Sequence, residues 1–190
     1  MRERDPESRK RLLLDAALTE FAARGLAGAR IERIAAGARC SAGLVYAHFG
    51  SKDALFDAVL ADAVDRTLHQ VPVVADDLPG YAARLYDVTA AAPDVERLLA
   101  WHRLEREPQS PCLPAVTEAT RATVDAVAAA QRAGAVPDRF DAPELVLAVQ
   151  TIARMWITPP VGVLPAAIVT EDHGHRRRAV HAAVSALLAA

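Results

Sequence analysis

Residues 40–55 read CSAGLVYAHFGSKDAL. Two helix starts fall inside this short stretch. Ser41 and Ser51 each carry a hydroxyl that can accept an early backbone N–H and so cap a helix. Gly50 lies between them as a natural stop. The first helix, about 42–48, has only two turns and needs packing to persist. Its residues divide by position. Ala42 and Gly43 are small, Val45 and Phe49 supply the apolar side, and Tyr46 and His48 end in polar tips.

Upstream, Ile31, Ile34, Ala35 and Ala38 predict a short helix over about 31–38, joined to the 42–48 helix by GARC. Two short helices with such a turn make a helix-turn-helix candidate, in which the second enters a groove of duplex DNA. Small residues at Ala42 and Gly43 permit close approach to base edges, and Leu44 can touch a thymine methyl. Tyr46 and His48 can reach phosphate oxygens. Lys52, at the start of the next helix with its free N–H groups, makes a phosphate clamp.

The pattern extends in both directions. Asp5–Pro6 is an N-cap followed by a proline at the first helical position, and Leu13, Leu14, Ala17, Phe21 and Ala22 mark one face of a first helix that Gly25 ends. After Ser51, the stripe Leu55, Phe56, Val59, Leu60, Ala63, Val64 and Leu68 continues until Pro72. Further helices are predicted near 79–91, 93–107, 114–133, 142–158 and 171–189, with Asp141 and Glu144 as a capping box for the fourth of these. Residues 159–170 form a long connection. Almost nothing alternates at period two, so the expected fold is all-α. We expect an N-terminal three-helix helix-turn-helix domain (residues 1–51) and a C-terminal helical ligand-binding and dimerisation domain (residues 52–190).

Charge is distributed unevenly. The chain's net charge is −2, yet residues 1–52 hold ten Lys/Arg against six Asp/Glu, or +4, and the remainder holds twelve against eighteen, or −6. A basic end on an acidic body predicts a polyanionic partner for the first fifty residues only. Cys40 and Cys112 are too few for a disulfide framework. With no apolar signal core and no run of membrane-span length, the expected location is the cytoplasm. His102 and Glu105 stand at i, i+3, but without a second pair or a Cys/His cluster no metal or cofactor is expected. No nucleophile motif, phosphate loop or carboxylate pair points to an enzyme.

The segment IERIAAGARCSAGLVYAHFGSKDALFDAVL (residues 31–60) resembles the N-terminal domain of the TetR family of bacterial repressors. Ile34–Ala35, Ala38, Ser41, Gly43, Tyr46, His48, Phe49, Ser51, Lys52 and Leu55 stand in register with that family's pattern. Upstream, FAARGLAGARI resembles its usual end of helix one. The resemblance covers about residues 10–60. It implies that Ser41, Ala42, Gly43, Leu44, Tyr46, His48 and Lys52 are the DNA-contacting set, with residues 42–44 mostly on bases and Tyr46, His48 and Lys52 mostly on backbone.

The chain departs from the pattern in three places. Ala29 and Arg30 stand where the family usually has Thr or Ser, so a capping, phosphate-touching hydroxyl is missing and Arg30 is the candidate to replace the phosphate contact. Arg39 stands in place of the turn glycine, with Gly37 two residues earlier; either the turn shifts register or Arg39 carries strain. Ala42, Leu44 and Ala47 offer few hydrogen bonds, so base discrimination rests on shape and methyl contacts.

In the body, 145–157 is apolar nearly all round, and 176–190 carries a stripe flanked by small alanines. Leu145, Val149, Ile152, Trp156, Val180, Ala183, Val184, Leu187 and Leu188 are the expected interface of a two-fold homodimer joined through a four-helix bundle, and the family resemblance points to the same two helices. The helices between 79 and 158 are expected to enclose a ligand pocket lined by Tyr86, Trp101, His102, Glu105, Gln150, Arg154, Met155 and Trp156. The expected function is a TetR-type repressor, released from a pseudo-palindromic DNA operator by a small-molecule inducer. The alternative is a helical ligand-binding or enzymatic bundle with a vestigial DNA-reading head.

Overall fold

All regular secondary structure among the described residues is helical: α1 (Pro6–Gly28), α2 (Ile31–Gly37), α3 (Ala42–Phe49), α4 (Lys52–Gln70), α5 (Leu78–Ala91), α6 (Pro93–Glu105), α7 (Pro114–Arg132), α8 (Ala142–Ala153) and α9 (His173–Ala189). The structure, a computed structural model, describes residues 6–106, 114–157 and 172–189. The expected cap at Asp5, the 159–170 connection and Cys112 lie outside these. No helix among the described residues is long and apolar enough to cross a membrane.

Helix boundaries follow local chemistry. Ser41 caps α3, and Asp141 with Glu144 forms the expected capping box on α8, with Asp141 Oδ1 accepting the Glu144 N–H at 2.9 Å. α8 is shorter than expected. It ends at Ala153, and residues 154–157 tighten into turns in which the Met155 N–H bonds to Ile152 and the Ile157 N–H to Arg154.

The chain packs as two compact units, residues 1–66 with 93–116, and residues 67–92 with 117–190. The first unit is built on Leu13, Leu14, Ala17 and Phe21 of α1, with Ile31, Ile34, Val45, Leu55, Phe56, Val59 and Leu98 packed against them. Phe21 meets Phe56 edge-on at 5.1 Å between ring centroids, a geometry worth about 1 kcal/mol beyond burial. α6 runs along α1. Its end is tied to α4 by Arg106, which pairs with Asp53 at 3.3 Å and Asp57 at 2.8 Å.

The second unit packs α5, α8 and α9 around Leu85, Tyr86, Leu145, Val149, Val180 and Val184, with Val127 of α7. Asp87 on α5 accepts from Arg177 at 2.8 Å and bonds to His173 at 3.0 Å, which fixes α5 to α9. The His173 ring also stacks on Tyr86 at 4.9 Å.

The expected dimer stripe needs correcting. Leu145, Val149, Val180 and Val184 are at most 1% exposed within the single chain. A side chain with no exposed surface has none to bury against a partner, so these four belong to the chain's own core. Ile152, Trp156, Leu187 and Leu188 are partly buried against the same core, and Ala183 is half-buried. The arc of α8 that does face outward carries Leu147, 67% exposed.

Candidate nucleic-acid interface

α3 is held by one residue deep in the core and presents the rest. Val45 is 1% exposed and Phe49 is half-buried against the first core, whereas Gly43, Leu44, Tyr46, Ala47 and His48 are exposed, Leu44 at 39% and Tyr46 at 48%. Ser41 sits in extended backbone, and its Oγ accepts the Leu44 N–H at 3.2 Å. The fold does not demand glycine at position 43. A Cβ there would meet nothing closer than Ser41 Oγ at 3.9 Å. What glycine provides is a slim outer surface. At the other end the chain turns at Gly50 (φ 76), whose N–H bonds to Tyr46 O, and Ser51 Oγ accepts the Ala54 N–H to start α4.

The α2–α3 turn settles the question raised by Arg39. The turn keeps its register, and Arg39 adopts left-handed backbone at φ 56. Its N–H bonds to Ala36 O at 3.1 Å, and the Cys40 N–H bonds to Ala35 O at 2.9 Å, the paired closure of a Schellman motif with arginine in the glycine position. This conformation costs a side-chain-bearing residue about 1–2 kcal/mol. Gly37 has a separate role, because a Cβ there would stand 3.2 Å from Ala16 Cβ where α2 approaches α1.

The α1–α2 turn is held by side chains from four helices. α1 breaks at Gly25 (φ 69), and a Cβ at this position would fall 2.8 Å from both Glu105 Oε1 and Trp101 Cε3. From α6, Glu105 accepts the N–H groups of Leu26 and Ala27, and Trp101 Nε1 donates to Ala22 O at 3.1 Å. From α4, Lys52 Nζ donates to Ala27 O at 3.3 Å and Ala29 O at 3.2 Å. Two of the three ammonium protons of Lys52 are thus placed on backbone of its own chain.

Arg30 occupies the N-cap of α2, is exposed, and makes no side-chain capping bond. Glu20 of α1 ties down the start of α2 by different bonds. Its carboxylate accepts the Arg30 N–H at 3.1 Å and Arg33 Nε at 2.7 Å, and Arg33 reaches on to Gly28 O at 3.0 Å. Burial alone pushes the Glu20 carboxyl up. The hydrogen bonds from Arg33 and the Arg30 N–H, with the charges of Arg33 and Arg24, outweigh it and hold the group below its ordinary value. Glu20 was not singled out from sequence, since nothing local links it to a position ten residues on.

The eight residues expected to line a ligand pocket divide between the two units. Trp101 and Glu105 secure the end of α1, and His102 stacks over Phe56 at 6.3 Å, all in the first unit. In the second, Tyr86 is buried against His173, while Gln150, Arg154, Met155 and Trp156 are half-buried, with the Arg176 guanidinium 5.5 Å above the Trp156 ring.

Comparison with known proteins agrees with this geometry. Residues 13–59 match the model of bacterial regulatory proteins of the tetR family, and residues 77–185 match the tetracyclin repressor-like C-terminal domain. The HTH-type transcriptional repressor SCO4008 of Streptomyces coelicolor is 38% identical over 161 residues, covering 84% of each chain. A crystal structure assigned as a transcriptional regulator of Streptomyces coelicolor, SCO4942, superposes with a TM-score of 0.85 at 33% identity, covering 95% of this chain and 98% of that one. A TetR-like regulator from Rhodococcus sp. RHA1 shares the fold at 17% identity, with a TM-score of 0.69 and coverage of 96% and 97%. With both halves matched and the reading helix presented outward, the chain belongs to the TetR family of bacterial transcriptional regulators.

Proposed function

We propose that the protein is a repressor that reads duplex DNA as a homodimer and leaves its operator when a small molecule binds. The observation that carries this reading is α3, anchored by Val45 and exposed at Gly43, Leu44, Tyr46 and His48. The Streptomyces coelicolor relative, a repressor by name, supports the sign of regulation. Functionally, residues 1–51 are the reading head and 52–190 the effector-binding and dimerisation part. Residues 42–44 face bases, and Ser41, Tyr46 and His48 face backbone. Lys52 offers its remaining N–H to phosphate, and Arg30 and Arg39 are exposed cations beside them.

Two copies would place two α3 helices in successive major grooves, about 34 Å apart on a pseudo-palindromic site. The proposed dimer surface is the outward arc of α8 and α9, with Leu147 beside Thr151 on one and Ala182 and Ala186 on the other, flanked by Ile152, Trp156, Ala183, Leu187 and Leu188. Leu147→Glu is expected to turn dimers into monomers in sedimentation with helix content unchanged. Persistent dimers would move the interface elsewhere.

For the inducer we propose the second-unit residues Tyr86, Gln150, Arg154, Met155 and Trp156. The ligand must favour the conformation whose two reading heads are misplaced, since without differential affinity it shifts nothing. In this reading the protein is cytoplasmic, has no catalytic role and needs no cofactor. A gel shift with duplex from the protein's own upstream region, at physiological salt, tests it. Retardation that a sequence-matched competitor abolishes is the expected result. Failure to retard any duplex would favour a helical ligand-binding bundle with a vestigial head.

A further inference from the structure

The strain at Arg39 raises a question of purpose. Glycine would close the same two turn bonds without the left-handed penalty, so what arginine adds is its guanidinium. That side chain is exposed and has no ion-pair partner among the described residues. It lines a groove of about 630 Å³ together with Arg9 and Lys10 of α1 and Ser41, Leu44 and His48 along one edge of α3. Arg9 and Lys10 are also exposed and have no ion-pair partner among the described residues, and no lining residue is acidic. Its apolar lining includes Leu12, Leu13 and Phe49.

Exposed cations beside apolar side chains complement a sugar–phosphate strand, whose anionic oxygens border the apolar faces of deoxyribose. A cleft walled by a single sign of charge also focuses its field on such a partner. Tyr46 and Lys52 do not line this groove. A helix in a major groove about 12 Å wide has a phosphate strand on each flank. We propose that the groove between the start of α1 and the α2–α3 turn seats the backbone strand on the Ser41–Leu44–His48 flank of α3, with Arg9, Lys10 and Arg39 as its cations. The inference rests on the reading of α3 as the DNA-contacting helix. It adds a second phosphate seat, contributed by α1, and gives the strained residue its use.

The test measures binding of the full chain to a labelled duplex of mixed sequence by fluorescence anisotropy across a salt series, together with thermal unfolding. Each lost phosphate contact lowers the slope of log affinity against log salt by about 0.9. A homodimer loses one contact from each protomer, so Arg39→Gly is expected to raise the thermal midpoint while lowering the slope by about 1.8. The double variant Arg9→Ala/Lys10→Ala is expected to lower it by about 3.6 with an unchanged thermal midpoint. Wild-type slopes in both variants would overturn the proposal, as would a lowered midpoint in Arg39→Gly, which would make the arginine a structural residue. Competition by inorganic phosphate at matched ionic strength, equal in wild type and lost in the variants, would assign the groove to free anions and also overturn it. Gly43→Glu separates the two levels. If it abolishes binding while the groove variants bind normally, only the second seat is lost; if wild-type protein binds no duplex, the reading of α3 is lost as well.

Discussion

The turns on either side of α2 are built on opposite terms. At residues 25–30 the backbone polar groups are taken by Glu20 from α1, Arg33 from α2, Lys52 from α4 and Glu105 from α6. At residues 38–41 the turn closes on its own backbone, holds Arg39 in left-handed conformation, and leaves that residue's charge without an ion-pair partner among the described residues. One turn is a joint, satisfied in place and costly to alter. The other is a working edge, where local stability is given up and side chains face outward. The contrast shows how a two-turn helix can be both fixed and free: Val45 and the Ser41 cap hold α3, the joint at the far end of α2 holds its neighbour, and the remaining side chains of α3 face outward.

The comparison can be broken most forcefully at Gly25. Gly25→Ala combines a left-handed alanine with a clash against Trp101 and Glu105, and is expected to cost about 3 kcal/mol in urea unfolding. A cost below about 1 kcal/mol would mean the joint yields easily. Removing one of its ties is gentler. Lys52→Ala is expected to lose about 1 kcal/mol of stability. It should also lower the salt slope of DNA binding by about one phosphate per protomer; an unchanged slope would confine Lys52 to the joint.

Glu20 sharpens the contrast through pH. Its carboxyl lies below the ordinary value in the folded chain, so the unfolded chain binds the proton more readily. Its contribution to stability is therefore present above the unfolded-state value, about 4.3, and disappears as pH falls through the folded-state value. Urea midpoints of wild type and Glu20→Gln should differ at neutral pH and converge in acid. A constant gap would show that the carboxylate's charge is not what holds α2. The smallest effect belongs to Arg30→Ala, which removes no capping bond and should change stability by less than about 0.5 kcal/mol.

The reading helix was legible in the sequence because its determinants are local. Ser41, Val45 and Gly50 lie within ten residues, and cap, core contact and stop follow from spacing alone. The joint was not legible. Leu26 and Glu105 are 79 positions apart, and only the packing of α6 along α1 brings them together. Glu105 and Trp101 looked like pocket residues, since an aromatic beside a carboxylate fits either role. The body helices mislead for another reason. When a helix such as α8 is apolar on most faces, its sequence does not say which arc meets its own core and which faces outward. Leu145 and Leu147 exchange roles on that ambiguity.

The chain contains just two tryptophans, and they fall one to each compact unit. The indole of Trp101 leans on the joint beside Gly25, while that of Trp156 lies beneath Arg176. Emission from the natural protein is thus a sum of one indole in each unit. Trp156→Phe would isolate the signal of the first unit and Trp101→Phe that of the second, so that a change in either could be followed without an attached dye.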